Sequence, residues 1–205
     1  MKVILINGSP HEHGCTYEAL WCVAEELNKE GIQTEFMHIG NKEVRSCLAC
    51  GNCSETGRCA FEDSVNVFLD KAKEADGFVI GSPVHYAGIS GALKSFLDRA
   101  FFTGGGFAYK PGAVLVSARR AGTTAALDQL NKYLSISNMP IVTSQYWNMV
   151  HGMLPEEVSG DEEGVQTIQN LGRNLAWMLK CIEAGREKGV CPPASDERKW
   201  TNFIH

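Results

Sequence analysis

Short apolar runs alternate along the chain with segments whose apolar residues recur at helical spacing. Runs rich in Val, Ile or Phe predict five strands, at residues 2–7, 33–39, 77–81, 113–117 and 140–144. Helical spacing begins with Leu20, Val23, Ala24 and Leu27, which stop before Gly31, and returns over residues 89–101, 125–134 and 165–183. This alternation predicts parallel strands joined by helical crossovers.

The predicted elements form one α/β domain over residues 1–185, doubly wound, with helices on both faces of the sheet. Residues 40–63 interrupt the alternation with a loop rich in Gly, Asn, Ser and Cys, longer than most connections in compact domains. A loop of that length commonly has a function of its own. The tail, residues 186–205, carries Trp200 and Phe203 and is hard to place in the core.

Composition narrows the class of protein. With 44% hydrophobic and 21% charged residues, the chain has the balance of a globular protein with a sizeable core. Its net charge of −5 provides no basic surface, so we expect no nucleic-acid partner and no binding to anionic membranes. No apolar run approaches the roughly 20 residues of a membrane-spanning helix, and we expect a cytoplasmic protein. Eight cysteines in that reducing compartment favour metal or redox chemistry over structural disulfides.

The loop after the first predicted strand, residues 8–16, suits a phosphate. It combines hydroxyl groups with the backbone N–H groups at the start of a helix. It matches neither the Gly-x-Gly-x-x-Gly motif nor the lysine-bearing P-loop, and therefore favours the phosphate of flavin mononucleotide (FMN) over a dinucleotide or a nucleoside triphosphate. The alternative is a plain turn in which Ser9 or Thr16 caps the helix.

Two further turns follow predicted strands at the same edge of the sheet, where ligands bind in doubly wound folds. Residues 81–91 combine small residues with His85 and Tyr86, so that backbone can approach a flat ring and offer N–H and C=O partners to its polar edge. Residues 117–123 add backbone and the cationic pair Arg119 and Arg120. Each turn alone is equally compatible with a structural role, but together they predict a ligand site.

The stretches NGSPHEHGCT and GSPVHYAGISGALKSFLDRAF, with the turn after the fourth strand, resemble the NAD(P)H-dependent FMN reductase and flavodoxin-like superfamily over most of residues 1–185. The resemblance implies a flavodoxin-like sheet with strand order 2-1-3-4-5. It also implies that the first loop holds the FMN phosphate and the other two hold the isoalloxazine ring. By motif position the FMN-binding residues are Ser9, His11, Cys15, Thr16, Ser82, Pro83, Val84, His85, Tyr86, Ser117 and Gly122. Where this chain has His11 and Cys15, the family commonly has Arg or Lys and Asn, respectively.

Four cysteines share the long loop, at Cys47, Cys50, Cys53 and Cys59. Their C-x2-C-x2-C-x5-C spacing is close to the compact run that binds bacterial four-iron four-sulfur clusters, whereas zinc sites more often use two C-x2-C pairs and a longer spacer. Gly51 and Gly57 predict the tight turns that such a wrap needs. A loop of free or redox-active thiols and a zinc site are the alternatives.

This motif on this fold resembles the iron-sulfur flavoproteins, a branch of the superfamily that carries FMN and a four-iron four-sulfur (4Fe-4S) cluster in each subunit. The resemblance implies that the four loop cysteines are the cluster ligands. It also implies an oligomer, and we expect a homodimer or a homotetramer.

We therefore predict an FMN-dependent oxidoreductase in which the flavin carries the chemistry and the protein orients it. Its electrons would come from NAD(P)H or ferredoxin and pass to small acceptors such as flavins, quinones or oxygen species. One alternative is a cluster-free NAD(P)H-dependent FMN or quinone reductase. Another, of a different class, is a non-catalytic, flavodoxin-like electron carrier or redox sensor.

Overall fold

The computed structural model describes residues 1–40, 43–194, 196, 197, 199 and 201. Its strands are β1 (Lys2–Asn7), β2 (Gln33–His38), β3 (Gly77–His85), β4 (Gly88–Ile89), β5 (Gly112–Ala118) and β6 (Met149–His151). Five of them form a parallel sheet in the order β2-β1-β3-β5-β6, and the short β4 pairs antiparallel with the end of β3. With β4 set aside, this is the predicted order 2-1-3-4-5, and the flavodoxin-like α/β prediction is confirmed.

Helices cover both faces of the sheet. They are α1 (Cys15–Lys29), α2 (Asn52–Thr56), α3 (Ser64–Glu74), α4 (Gly91–Phe102), α5 (Thr123–Ile136) and α6 (Glu162–Glu187). Alternate residues of β1 point to opposite faces, so Val3 and Leu5 pack with α1 and α6 while Ile4 and Ile6 pack with α3, α4 and α5. The central strands β1, β3 and β5 are covered on both faces, so most of their residues are buried and they appear in the sequence as apolar runs, whereas the edge strand β2 is mostly half-buried and carries polar residues.

The fifth parallel strand lies later in the chain than predicted. Residues 140–142 do begin alongside β5, but Ile141 forms only an isolated bridge with Gly112. The chain then leaves the sheet and returns at Asn148, whose side-chain amide donates to the carbonyl oxygen of Val114 at 3.0 Å. The prediction of a strand over residues 140–144 is therefore wrong. The side chain of Asn148 bonds to β5 in place of a backbone group, and regular strand pairing begins only at Met149.

One long helix was not predicted at all. In α3 the residues Val65, Phe68 and Leu69 are buried, and Asp63 caps its start by accepting a hydrogen bond from the N–H of Val65 at 3.0 Å. This helix closes the cysteine-rich loop on its C-terminal side. The loop itself, which follows β2 as predicted, contains the short helix α2.

The C-terminal segment leaves the globule at the end of α6. The predicted tail, residues 186–205, begins in the last turn of that helix, while Trp200 and Phe203 lie outside the described residues. Across the part of the chain that the structure describes, no helix combines the length and the apolar character needed to cross a membrane.

Candidate functional site

An open cavity lies at the carboxyl ends of β1, β3, β5 and β6, with an empty volume of about 950 Å³. This is the position at which doubly wound sheets bind ligands. Seven of the predicted FMN-binding residues line it, namely Ser9, His11, Cys15, Thr16, Pro83, Val84 and Ser117. The structure thus brings together residues from three separate loops. It does not place Ser82, His85, Tyr86 or Gly122 among the lining residues.

The buried amide of Asn7 shapes the loop after β1. Its Oδ1 accepts a hydrogen bond from the N–H of Ser9 at 3.0 Å, and its Nδ2 donates to the carbonyl oxygen of Glu12 at 3.0 Å. The Ser9 hydroxyl in turn accepts the N–H of His11 at 3.1 Å. Asn7 was not predicted as a functional residue, although an Asn at the end of a buried strand is a common organiser of such turns.

The N-terminus of α1 opens into the cavity without a side-chain cap. Its N-cap residue is Gly14, and among the described residues no side chain accepts a hydrogen bond from the first turn. The alternative prediction that Ser9 or Thr16 caps this helix is therefore wrong. Uncapped N–H groups and the positive end of the helix dipole attract an anion, so this end of the cavity has the chemistry of a phosphate site.

Cys15 stands beside that helix end as a neutral thiol. Its Sγ donates to the carbonyl oxygen of Gly152 at 3.5 Å. Burial, and then the nearby carboxylates of Glu157 and Glu156, raise the pKa of the Cys15 thiol. Because the thiol therefore stays protonated at neutral pH, it places no negative charge beside a bound phosphate.

The predicted ring-binding hairpin of β3 and β4 divides into two parts. Pro83 and Val84 face the cavity. The hydroxyl of Ser82, by contrast, donates to the carbonyl oxygen of Pro83 and accepts the N–H of Ser90, so it serves the hairpin itself. Tyr86 lies at the tip, fully exposed and with a positive φ of 55°.

Gly122 approaches the same hairpin from the turn after β5. A Cβ atom at this residue would lie 3.0 Å from Cγ1 of Val84, and its φ is +92°. Neither Gly122 nor His85 lines the cavity, but both border residues that do.

One wall of the cavity was not predicted from the sequence. It consists of Met153, Leu154 and Pro155, which follow β6. The backbone N–H groups of Met153 and Leu154 donate to the carboxylate of Glu157 at 2.7 and 3.1 Å, and these bonds lower the pKa of Glu157. The sequence signal was their place after the fifth strand, which was concealed by the misplaced strand prediction.

The four loop cysteines line a second, smaller pocket with an empty volume of about 360 Å³. Cys47 and Cys50 are exposed, whereas Cys53 and Cys59 are half-buried. The predicted turns are present, because Gly51 and Gly57 flank α2 with φ values of 78° and 68°. Such backbone is strained for any residue with a Cβ.

This pocket has the donor chemistry for an iron-sulfur cluster. All four cysteines are free thiols around one concavity, and thiolates are the ligands that such clusters prefer. In the described residues no three His, Cys, Asp or Glu side chains are already grouped tightly enough to hold a metal ion. The residues therefore fit the group in kind and location, and their sulfur atoms would have to draw together around it.

Comparison with known proteins shows the family to which the chain belongs. The sequence model of the NADPH-dependent FMN reductase family matches residues 1–153. An iron-sulfur flavoprotein of Methanocaldococcus jannaschii is 38% identical over 196 residues, which cover 89% of this chain and all of the relative. An iron-sulfur flavoprotein of Methanosarcina thermophila is 29% identical over 194 residues, covering 92% of this chain and all of the relative.

Solved structures give the same architecture. The NAD(P)H:quinone oxidoreductase of Methanothermobacter marburgensis superposes with a TM-score of 0.65 at 20% identity, covering 85% of this chain and 96% of its own. At that level of identity the likeness concerns the fold. The resemblance predicted from the motifs is confirmed by the family match and by the sequence relatives.

Proposed function

The chain belongs to the NADPH-dependent FMN reductase family and is a flavin oxidoreductase, and from this premise we propose that it is an FMN-dependent enzyme of the iron-sulfur flavoprotein type. It would move electrons from NAD(P)H or ferredoxin to small acceptors such as flavins, quinones or oxygen species. The observation that carries the proposal is the open cavity at the strand ends, entered by an uncapped helix N-terminus.

The phosphate of FMN would lie at the start of α1. Backbone N–H groups of the first turn and the hydroxyls of Ser9 and Thr16 are the donors on that side of the cavity. His11 and His13 also line it, and an imidazole N–H group can donate a hydrogen bond to an anion, which matters in a loop without Arg or Lys.

The isoalloxazine ring would lie against Pro83 and Val84, beside Ser117, which pairs with Pro83 in the sheet, and the segment after β6. Met153 and Leu154 provide apolar area there and are 72% and 50% exposed, as suits a wall that a ring would cover. Bound FMN supplies hydride and single-electron chemistry, while the protein orients the ring and limits its contact with water.

The cysteine pocket would hold a 4Fe-4S cluster on Cys47, Cys50, Cys53 and Cys59. The spacing of these residues and the iron-sulfur flavoprotein relatives support this assignment. A cluster exchanges one electron at a time and a flavin can exchange two, so the pair would connect carriers of both kinds.

Two observations favour a second candidate, a cluster-free NAD(P)H-dependent FMN or quinone reductase. In the described residues the cysteines are not grouped as metal ligands, and two of them are exposed. In that case the same cavity would bind FMN and the loop would carry free thiols.

Anaerobic purification followed by three assays separates the candidates. We expect bound FMN, and we expect iron and acid-labile sulfide in amounts equal to each other. The absorption spectrum should contain both flavin and cluster components. Flavin without iron or sulfide would establish the cluster-free reductase. A protein that binds no FMN would contradict the proposal as a whole. Steady-state oxidation of NADH and NADPH with quinone and flavin acceptors then identifies the donor.

A further inference from the structure

Arg99 is buried beside the cysteine pocket and needs an explanation. It lies on α4 among apolar residues that include Phe96 and Ala100, and its side chain is 1% exposed. A guanidinium withdrawn from water is strongly unfavourable unless its charge is compensated and its N–H groups are bonded. The partners of Arg99 therefore indicate its role.

Every N–H group of the Arg99 guanidinium has an acceptor. Nη1 and Nη2 form a fork on the Asp63 carboxylate at 2.7 and 2.9 Å, and they also contact the carbonyl oxygens of Arg45 and Phe61 at 3.4 and 3.5 Å. The remaining group, Nε–H, donates to Sγ of Cys59 at 3.2 Å. The two bonds to Asp63 fix the orientation of the guanidinium plane, and in this orientation Nε–H points at Sγ of Cys59.

Arg99 remains a cation in this position. A guanidinium stays protonated in proteins, and the Asp63 carboxylate compensates its charge here. The sulfur of Cys59 therefore faces a permanent positive charge, partly balanced by Asp63.

A second buried side chain holds the backbone of Cys59. Asn66, on α3, accepts the N–H of Cys59 on its Oδ1 at 2.9 Å and donates from Nδ2 to the carbonyl oxygen of Cys59 at 3.0 Å. Two helices thus fix both the main chain and the sulfur of this cysteine. Cys47 and Cys50, by contrast, lie exposed on the loop, where Sγ of Cys47 accepts the N–H of Ala49 at 3.4 Å.

We propose that Arg99 is a positioning residue for the iron-sulfur cluster: it presents Sγ of Cys59 as a preset ligand around which the other three cysteines close. The inference rests on the proposed function, because it needs a cluster in the pocket. Hydrogen bonds to a ligand sulfur and nearby positive charge favour the more negative, reduced form of a cluster. Arg99 therefore raises the reduction potential of the cluster as well as retaining it.

The competing explanation is a structural clamp between α4 and the start of α3. Asp63 caps α3 through the N–H of Val65, and its bond to Arg99 ties that cap to α4. A clamp alone predicts that replacing Arg99 lowers stability without moving the potential of the cluster. The reduction potential therefore distinguishes the two roles.

The test compares R99Q and R99K with the control K94M. Lys94 is a cation on the same helix, 58% exposed and paired with Asp98. Each protein is purified anaerobically and assayed for FMN, for iron and sulfide, for the chelator concentration that removes half the iron, and for the midpoint potential of the cluster. Thermal unfolding of the cluster-free proteins reports stability separately.

We expect R99Q to keep FMN and to lose its iron at a chelator concentration about 10- to 100-fold lower than that needed for the wild type. This is the usual effect of removing a residue that hydrogen-bonds to a metal ligand. Its remaining cluster should have a lower potential. R99K, which keeps the charge but not the fork, should be intermediate in both, and K94M should match the wild type.

A folded R99Q with wild-type chelator resistance and potential overturns the inference. So does a loss of iron that only follows a loss of stability, with the potential unchanged. If R99Q does not fold, R99K serves as the test, and a wild-type chelator resistance and midpoint potential in R99K overturn the inference. A wild-type protein that holds FMN but neither iron nor sulfide overturns the proposed cluster too, so the two failures are distinguishable.

Discussion

The hydroxyl oxygens of Thr16 and Ser117 lie 2.8 Å apart and join the first turn of α1 to the end of β5. Both side chains are buried, and both line the cavity. Only one of the two hydrogens is used in this bond, so the accepting hydroxyl keeps its own hydrogen for another acceptor. A bound FMN would supply one, through its phosphate at Thr16 or its ring at Ser117, which makes this pair both a brace of the cavity and a donor within it.

Thr16→Val should therefore destabilise the FMN-free protein. The change keeps the side-chain shape but leaves the Ser117 hydroxyl buried without this partner, at a cost of about 1–3 kcal/mol in the free energy of unfolding. Urea denaturation measures it. The control is Thr34→Val, which removes an exposed bond to Asn28 and should change stability by less than about 0.5 kcal/mol. Equal losses in the two variants would contradict a bracing role.

Ser9→Asp should expel FMN. Ser9 is buried at the phosphate end of the cavity, and two unit charges about 4 Å apart repel by about 4 kcal/mol at an effective dielectric constant near 20. That corresponds to about a thousandfold loss of affinity, measurable by flavin fluorescence titration. Ser159→Asp adds the same charge at an exposed position and should leave FMN bound. If S9D is purified with a full complement of FMN, the phosphate does not lie in this loop.

Gly122→Ala should weaken both the fold and flavin binding. A residue with a Cβ in the left-handed region costs about 1–2 kcal/mol, and here the new atom would also press on Val84, which lines the cavity. Gly91→Ala is the matched control, because a Cβ there meets open space and the backbone carries no positive φ. We expect the control to be neutral or slightly stabilising. A neutral G122A would show that the turn tolerates rearrangement.

The sequence was sufficient for β1, β3 and β5 because these central strands are buried and mostly apolar on both faces, so each run stands out by itself. The fifth strand was predicted too early because β6 has only three residues, too few to show a pattern. Just before β6, the side-chain amide of Asn148, and not a backbone N–H group, donates to β5. A side-chain bond of this kind leaves no periodic pattern in the sequence.

The cysteine pocket and the cavity also contain some residues that the sequence predicts and others that it does not. The cysteine spacing is local, and it predicted a shared cluster-binding role for four residues that the structure places around one pocket. Arg99 was not predicted, because an arginine at the edge of a helical stripe resembles a solvated residue. What buries it is Asp63, 36 residues earlier in the chain, and the relation between them exists only once α3 and α4 pack. Met153 and Leu154 were missed for a related reason, since their role depends on where β6 ends.

Glu26 gives the fold a specific sensitivity to acid. Its carboxylate accepts bonds from Arg173 on α6 and from Lys29, each at 2.7 Å, and these lower the pKa of Glu26. Because the folded pKa lies below the unfolded one, the stabilisation is present at neutral pH and is lost as pH falls through the folded pKa.

Glu26→Gln should therefore cost on the order of 1 kcal/mol near neutral pH, and its difference from the wild type should narrow below about pH 4.3, the ordinary pKa of Glu. Urea denaturation across that range checks the prediction. Glu25→Gln, at the exposed neighbouring position, serves as the control. A difference between E26Q and the wild type that stays constant with pH would assign the effect to packing instead of charge.

Cys50→Ser should remove the cluster and spare the flavin. Cys50 is exposed in the cysteine pocket and lines no part of the flavin cavity, so its loss should remove iron, sulfide and cluster absorbance while FMN content stays at the wild-type level. Cys181→Ser replaces an exposed thiol on α6 and controls for the loss of any surface cysteine. Iron and sulfide that persist in C50S at the level found in C181S would show that the loop cysteines are not the ligands.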